Sequence, residues 1–442
     1  MINERFTTYF RGAYFEGKDA EFEDFLRAVE KPISKTLRIK PGNIDAVRTR
    51  LEHDGYILKR TPLSHVFEID RREDFNPFER RLGYSLDHLV GNFYIQELAA
   101  AHPVNILAES RIHDESFLIL DMASSPGGKT TQLAEYYPKS FIIANEPTRE
   151  RIPQLLQNLD RMGSLNIGVT LYPGQYFARE AEVFDRILLD APCSGEGTAF
   201  RWGEVLSNWH LKSAKKMAHL QIKLLESALI ALKVWGELVY STCTLNAFED
   251  EWVIEAIQEK YPDTMEILFQ KKWWPHIDGT GGFFVTKIRK IAPILLKKSS
   301  LPSKGNIEIQ KMKHTENLPH RDRSGRTVRY YTFRDKILST IDHPSIDTLR
   351  QDYFFMRLGE EVGRMNPEIE LLSFAGRNLD LHLEVVEIED ELLLDQYLRW
   401  GKIEYNIPDS NVLIVSGWMI LGSDQIQKWL IMNQFPKDWR RR

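Results

Sequence analysis

Between about residue 110 and residue 290, short apolar runs alternate with longer segments of helical apolar spacing. This alternation restricts the fold more than any other feature of the sequence. Strands that alternate with helices of this length predict an α/β fold, with a parallel sheet covered on both faces and ligands at the carboxyl ends of the strands. The predicted strands are SFLILD (116–121), FIIANE (141–146), VFDRILLD (183–190), ELVYST (237–242) and GGFFVTKI (281–288). The predicted helices are TTQLAEYY, RIPQLLQNLDRMG and the segment from about 210 to 233.

The regions on either side of this α/β core differ from it in composition. The segment before it combines helix-like stretches with a short KTLRIKP segment, which indicates a separate α+β domain. The core is followed by a stretch rich in Ser, Lys and Pro, typical of a linker, and then by short apolar runs typical of a small, mostly β domain. The predicted domains are therefore 1–105, 106–290, 291–325 (a basic linker) and 326–442.

Composition excludes several other classes of protein. Among 442 residues 43% are hydrophobic and only two are cysteines, which argues against disorder and against a disulfide scaffold. The first residues, MINERFTTYFRGAYFEGKDAEF, lack the basic and apolar regions of a signal peptide, and no run approaches eighteen apolar residues. We therefore expect a cytoplasmic protein with free thiols and no membrane anchor.

Both cysteines follow apolar strands of the predicted sheet. Cys193 lies in LLDAPCSGEGT and Cys243 in YSTCTLN. A buried free cysteine is usually a small inert hydrophobe, but here each one stands in a polar, turn-forming context at the strand end where α/β enzymes bind ligands. The shared placement favours a catalytic role.

Two thiols and a carboxylate suit one reaction in particular, methyl transfer to carbon 5 of cytosine. That carbon is too weakly nucleophilic to accept a methyl group until a thiolate adds to carbon 6. An acid must then hold the pyrimidine edge, and Asp190, three residues before Cys193, is placed to do so. A base must finally remove the proton from carbon 5, which the second cysteine could supply or position.

The segment LDMASSPGGKTTQ offers a site for the methyl donor. Gly127 and Gly128 would let the backbone approach a ligand at the start of the next helix. Glu146 ends the following strand, where an acid can accept hydrogen bonds from ribose hydroxyls. A nucleotide-triphosphate loop would need glycine where Ala123 stands, and the three spaced glycines of a dinucleotide loop are absent.

In their order and spacing, DMASSPGGKTTQ, the acid of ANEP, LLDAPCSGEGT and YSTCTLN resemble the motifs of RNA cytosine-5 methyltransferases of the Nop2/Sun type. The resemblance is strongest to bacterial members that act on the RNA of the small ribosomal subunit. KPISKTLRIKP and GNFYIQE resemble the family's N-terminal motifs, and NQFPKDWR resembles its PUA-like C-terminal domain. The resemblance implies a Rossmann-like methyltransferase core that uses S-adenosylmethionine, with no metal, between an N-terminal RNA-binding domain and a PUA-like domain.

The resemblance also implies a role for each site residue. Cys243 would be the nucleophile and Cys193 would assist product release, whereas DNA cytosine methyltransferases use the cysteine of the PC motif as nucleophile. Asp190 would contact the target base or the reactive end of the donor, and Glu146 would bind the ribose. The donor loop would consist of Ala123, Ser124, Ser125, Pro126, Gly127, Gly128 and Lys129. Lys129 would lie near the donor's carboxylate or the flipped base.

One departure concerns the donor's adenine. The family usually places an aspartate where this chain has Pro173, in LYPGQYF. Proline has no side-chain donor or acceptor. Either Gln175 or a backbone carbonyl makes this contact, or the donor is bound less tightly.

The chain carries a net charge of −5, but the charge is distributed unevenly. From Lys287 to Lys336 there are 14 Lys and Arg against 4 Asp and Glu. Such a stretch is either a solvated linker or a contact for phosphate. This basic stretch is one of our candidates for RNA contact. The others are Arg38, the C-terminal domain, and the aromatic side chains of Trp202 and Trp209, which could equally be packing residues.

We therefore expect RNA, in the form of 16S ribosomal RNA or the small subunit, as the partner of a monomeric protein, with neither DNA nor a membrane involved. Two alternatives stay open. The same chemistry could act on transfer RNA, or the chain could be an RNA-binding assembly factor that turns over weakly, which the proline at position 173 makes conceivable.

Overall fold

The computed structural model describes residues 2–72, 82–179, 181–201, 204–294, 309–313, 315–316, 318–366, 368–372, 375–381, 383–399, 403–404, 410–416, 419–427 and 430–431. The chain forms two compact units. One comprises Met1–Glu73, Tyr94–Leu155 and Leu171–Pro302. The other comprises Asp74–Phe93, Leu156–Thr170 and Ser303–Arg442. The four-part division expected from composition stays a prediction.

In chain order, the α-helices of the described residues are α1 (Glu4–Tyr14), α2 (Asp19–Glu30), α3 (Ile44–His53), α4 (Leu86–Leu89), α5 (Leu98–Leu107), α6 (Gly128–Tyr136), α7 (Ile152–Met162), α8 (Glu204–Ser207), α9 (Leu211–Ala231), α10 (Glu251–Lys260), α11 (Pro275–Asp278), α12 (Ile346–Asp352), α13 (Ala375–Asn378) and α14 (Glu391–Leu398).

The strands are β1 (Lys35–Ile39), β2 (Tyr56–Arg60), β3 (Val66–Arg71), β4 (Phe93–Ile95), β5 (Leu118–Asp121), β6 (Phe141–Asn145), β7 (Ile167–Thr170), β8 (Phe184–Asp190), β9 (Leu232–Thr242), β10 (Met265–Trp273), β11 (Phe283–Lys290), β12 (Gln310–Lys311), β13 (Val328–Phe333), β14 (Lys336–Ile341), β15 (Phe355–Leu358), β16 (Glu360–Asn366), β17 (Glu368–Leu371), β18 (Glu384–Glu387), β19 (Ile403–Glu404), β20 (Ser410–Ser416), β21 (Met419–Gln427) and β22 (Leu430–Ile431).

The sheet of the first unit is mixed. Its strands run in the order β10-β11-β9-β8-β5-β6. Strands β6, β5, β8 and β9 are parallel, but β11 is antiparallel to both β9 and β10. The expected parallel sheet is thus correct for these four strands and wrong for β11, because only residues 274–282 join β10 to β11. A parallel crossover needs a dozen residues or more.

All five strands predicted in this region are present, and two further strands were missed. Strand β7 has only four residues and includes a glycine, so it gives little periodic signal. Strand β10 exposes several polar side chains along LFQKK. Since β5, β6, β8 and β9 are parallel and neighbouring, their carboxyl ends meet at one edge of the sheet, which defines a Rossmann-like α/β core.

The N-terminal segment of this unit adds a four-stranded sheet in the order β2-β3-β1-β4 and the helices α1 and α2. Asn3 caps α1 through a 2.9 Å hydrogen bond from the Arg5 amide to its Oδ1. The apolar faces of α1 and α2 bury several phenylalanines. These pack in one cluster with Trp209 and Leu245, so the N-terminal helices share a hydrophobic core with residues that flank both cysteine motifs.

The second unit is rich in strands. Two five-stranded sheets, β12-β13-β14-β16-β17 and β18-β20-β21-β22-β19, each carry a core of buried aliphatic residues. Strand β15 pairs antiparallel with β7. The structure therefore agrees with the expected mostly β character of the C-terminal residues, while the finer PUA-like description stays a prediction. The NQFPKDWR segment lies outside the described residues.

Candidate active site

The loop between β5 and α6 is a tight turn that only glycine can complete. Gly127, which precedes the first residue of α6, has a φ of +105°, in the region where side chains are strained. A Cβ on Gly128 would lie 3.2 Å from the ring of Tyr94. The amide of Gly127 donates to the carbonyl of Ser124 across 2.7 Å, and the Ser124 amide donates to Asn145 at the end of β6. These contacts fix the predicted donor loop against two strand ends.

Glu146 lies beside this loop and is buried, so it is not a surface acid. Its carboxylate accepts hydrogen bonds from the amides of Ser125, at 3.3 Å, and Thr148, at 2.9 Å. Arg151 forms an ion pair with Glu146 at 3.3 Å and donates to the Ser125 carbonyl at 2.7 Å. The structure therefore brings the acid of the second strand to the glycine loop, as the sequence predicted.

Lys129 and Asp190 meet at the ends of α6 and β8. Lys129 Nζ lies 2.7 Å from Asp190 Oδ2, and Ser241 Oγ donates to Asp190 Oδ1 across 2.8 Å. Burial alone would lower the pKa of Lys129, but the Asp190 carboxylate outweighs it, so the pKa of Lys129 is raised. The lysine is held in its charged form and orients the aspartate.

The two cysteines come together at the ends of neighbouring parallel strands. Their Sγ atoms are 3.2 Å apart, and both thiols are free and half-buried. The pKa of Cys193 is raised well above its usual range, first by its hydrogen bond with Cys243, then by burial and by nearby negative charge. Cys193 is therefore a protonated thiol at neutral pH.

Sequence reasoning missed two buried acids behind the cysteines, Glu196 and Glu249. Both bind the side chains of Ser194 and Asn246, which follow Cys193 and Cys243 in the chain. Burial, followed by the charge of Glu249, raises the pKa of Glu196. Glu196 lies in CSGEGT and Glu249 in TLNAFED, but the letters alone do not reveal which carboxylates are buried.

Asp121, the last residue of β5, was also missed. It is buried and accepts a hydrogen bond from Thr130 Oγ1 across 2.7 Å. Burial raises its pKa to about 7. Its carboxyl group thus changes charge near neutral pH, next to the first residues of the donor loop.

One of the residues expected at the RNA surface is not there. Arg38 is buried, and its guanidinium group donates hydrogen bonds to helix α6. The acceptors are the Glu135 carboxylate, at 2.8 and 2.9 Å, and the carbonyl of Gly128, at 2.8 Å. The expectation that Arg38 contacts RNA is therefore wrong, because the guanidinium group satisfies buried acceptors beneath the donor loop. Trp209 is likewise a packing residue, buried in the aromatic cluster of α1 and α2. Trp202 and, within the basic stretch, residues 295–308, 314 and 317 lie outside the described residues.

Pro173 is exposed, after the end of β7. Its neighbour Tyr172 exchanges backbone hydrogen bonds with the side chain of Asn145, at 3.0 and 2.9 Å, and stacks on Tyr176 with ring centroids 4.0 Å apart. The segment is thereby tied to the end of β6. The expectation that Gln175 or a backbone carbonyl replaces the family's adenine-binding aspartate stays a prediction.

No helix in the described part of the chain is both long and apolar enough to cross a membrane. The same residues contain no group of three or more His, Cys, Asp or Glu side chains arranged to hold a metal ion.

Residues 109–289 match the family model described as "16S rRNA methyltransferase RsmB/F". A protein named ribosomal RNA small subunit methyltransferase F from Shewanella piezotolerans is 34% identical over 302 residues, which cover 62% of this chain and 61% of that protein. Its namesake from Erwinia tasmaniensis is 35% identical over 294 residues, with the same coverage of each chain. The chain thus matches about three fifths of the length of these curated relatives.

Among solved structures, a methyltransferase homologue from Pyrococcus horikoshii has a TM-score of 0.55 and 29% sequence identity, and the match covers 64% of this chain and 93% of that one. Together these matches confirm the resemblance carried by the four core motifs. Residues 109–289, which match this family model, have a Rossmann-like methyltransferase fold.

Proposed function

We propose that this chain transfers a methyl group from S-adenosylmethionine to carbon 5 of a specific cytidine in 16S ribosomal RNA. One observation carries the proposal: the thiols of Cys243 and Cys193 are 3.2 Å apart, at the strand ends where Lys129 orients Asp190. The relatives named ribosomal RNA small subunit methyltransferase F support the choice of substrate.

In the proposed mechanism, the Cys243 thiolate forms a bond to carbon 6 of the cytosine and moves electron density to carbon 5. Asp190 holds the pyrimidine edge and favours protonation of its ring nitrogen, while Lys129 keeps this carboxylate in position. Carbon 5 then bonds to the methyl carbon as the bond from that carbon to sulfur breaks. Cys193 positions the base that takes the proton from carbon 5, after which the bond from Cys243 to carbon 6 breaks.

The residues present fit S-adenosylmethionine, which supplies an electrophilic methyl group when bound. Ala123 through Gly128 form a turn of backbone amides before α6, with no side chain at Gly127 or Gly128, and helix starts of this kind suit an anionic group such as the donor's carboxylate. Glu146 is fixed at the end of β6, where we assign it to the ribose hydroxyls. Lys129 is paired with Asp190, which also accepts a hydrogen bond from Ser241, two positions before Cys243.

We assign RNA binding to the N-terminal segment, to the basic stretch between Lys287 and Lys336, and to a PUA-like C-terminal domain. The local excess of positive charge supports the second assignment, because phosphate contacts dominate the affinity of proteins for nucleic acid. The target base must leave its stack to reach Cys243. The same proposal includes a monomeric protein in the cytoplasm that acts on RNA rather than on DNA or at a membrane.

The test is incubation of the purified full chain with total ribosomal RNA from a strain that lacks the gene and with radiolabelled S-adenosylmethionine, followed by bisulfite sequencing. We expect label at one cytidine of the small-subunit RNA. Label only in added transfer RNA would keep the chemistry and change the substrate. No label in either RNA, despite folded protein, would favour a binding factor.

Two variants test the thiol roles in the same assay. Cys243→Ala should abolish methylation while cofactor binding persists, and full activity would reject this residue as the nucleophile. Cys193→Ala should let the covalent adduct between enzyme and RNA accumulate as a slow band on a denaturing gel. Normal turnover without such a band would remove the release role of Cys193.

A further inference from the structure

Helix α9 presents a row of basic side chains to solvent. Its first three turns place exposed basic residues three or four positions apart, and residues at this spacing share one face of a helix. The residues of this basic face are Lys212, Lys215, Lys216, His219 and Lys223. The opposite face of the helix is buried. The positive charge of the lysines is therefore concentrated on the side of α9 that points away from the core.

The lysines of the basic face have no acidic partner. None of Lys212, Lys215, Lys216 and Lys223 forms an ion pair with any described residue. Farther along the same helix, by contrast, Glu226 pairs with Lys260 across 2.6 Å. Like charges three or four positions apart on a helix repel each other. A bound anion would relieve this repulsion, so the face suits a negatively charged partner.

The buried side of α9 is fixed to the loop that carries Cys193. Gln221 Nε2 donates a hydrogen bond to the carbonyl of Pro192, the residue before this cysteine, at 2.8 Å. Beside the start of the helix lies a cavity of about 380 Å³, whose lining includes Ser194 and Ser213. Ser194 follows Cys193, and Ser213 lies in the first turn of α9. The start of the basic face and the catalytic loop therefore open onto the same cavity.

Two half-buried aromatic rings border the basic face. Lys215 Nζ lies 4.8 Å from the ring centroid of Phe248, which is five positions after Cys243. The rings of His219 and Trp252 pack with their centroids 5.6 Å apart. Surfaces that follow a single strand of nucleic acid combine cations, which meet the phosphates, with aromatic rings, on which bases stack. The side chains along α9 have this combination, and both cysteine motifs adjoin it.

We propose that the basic face of α9 binds the phosphates of the RNA strand on one side of the target cytidine. This inference rests on the proposed function. It adds an RNA contact to the methyltransferase core itself, separate from the stretch between Lys287 and Lys336. From Lys212 to Lys223 the helix rises by about 16 Å, which is long enough to meet more than one phosphate. Because α9 is tied to the Cys193 loop, a strand held here leads towards the thiols.

The first measurement is acetylation of the full chain with sulfosuccinimidyl acetate, with and without 16S ribosomal RNA transcribed in vitro. Peptide mass spectrometry gives the modified fraction of each lysine. Bound RNA should lower the acetylation of Lys212, Lys215, Lys216 and Lys223. It should leave Lys139 and Lys233 unchanged, because these lie at the amino ends of β6 and β9, at the sheet edge opposite the thiols. Unprotected lysines on α9 would overturn the proposal.

The second measurement is the salt dependence of RNA binding by a variant that combines Lys212→Gln, Lys215→Gln and Lys216→Gln. The slope of log Kd against log salt concentration should fall by about 2, since each phosphate contact to a single strand contributes about 0.7. The matched control combines Lys139→Gln, Lys233→Gln and Lys260→Gln, which remove three lysines that are already paired with carboxylates. It should keep the wild-type slope. Equal slopes for the α9 variant and the wild type would contradict the proposal.

Neither measurement needs methyl transfer, so the two proposals fail separately. A chain whose α9 lysines are protected by RNA that it leaves unmethylated refutes the proposed function alone. A chain that methylates 16S ribosomal RNA with these lysines unprotected refutes the RNA contact on α9 alone.

Discussion

Replacing Arg38 with methionine should destabilise the first unit by about 3–5 kcal/mol, the usual cost of removing one partner of a buried ion pair. The Arg38 side chain has no exposed surface and that of Glu135 only 9%. Two guanidinium nitrogens bind the two oxygens of Glu135 at 2.8 and 2.9 Å, and the group also binds Thr131 Oγ1 at 2.9 Å. The variant leaves the Glu135 carboxylate buried without a cation.

The assay is urea unfolding of Arg38→Met, Glu135→Gln and the double variant. The double variant should lose less free energy of unfolding than the two single variants combined, by about 1–3 kcal/mol, because it leaves no unpaired charge. The affinity of folded Arg38→Met for RNA should equal that of the wild type. A variant with wild-type stability and weakened RNA binding would refute the reasoning and restore Arg38 as an RNA contact.

Three further predictions concern the site, the second unit and a strained residue. Lys129→Met should lower kcat/KM for methylation at least about tenfold, because Asp190 loses the cation that orients it. The control Lys139→Met removes an exposed ion pair and should leave kcat/KM unchanged. Equal kcat/KM values for Lys129→Met and the wild type would contradict this role of Lys129. Burial raises the pKa of Glu360 to about 7 from 4.5, so its stabilising contribution is complete below about pH 4.5 and is lost as the pH rises through about 7. Between about pH 4.5 and pH 7, the free energy of unfolding of Glu360→Gln should therefore fall less than that of the wild type, by on the order of 3 kcal/mol, in thermal or urea unfolding. Parallel curves of this free energy against pH would refute the raised pKa of Glu360. Trp235 is 68% exposed and has a φ of +65°. Trp235→Gly should raise the free energy of unfolding by about 0.5–1 kcal/mol, because the relief of backbone strain exceeds the added entropy of the unfolded chain. A lower denaturation midpoint would show that contacts of the indole ring contribute more to stability than the strain costs.

The alternation of strands and helices and the four core motifs were readable from the sequence because they depend on local periodicity and on residue type at fixed spacing. The same reasoning placed Glu146, Asp190 and the cysteines at strand ends, where parallel pairing necessarily brings them to one edge. Strand β11 was the exception. Its direction depends on the connection from β10, and the polar sequence of β10 did not predict a strand.

The sequence by itself therefore determined the α/β core, the glycine turn before α6 and the choice of candidate reactive groups. Only the tertiary structure decided which polar residues are buried together. Arg38 and Glu135 are 97 positions apart, and Ser194 and Glu249 are 55 apart, so no local pattern links them. Their contacts depend on burial, which arises only when distant segments pack against one another.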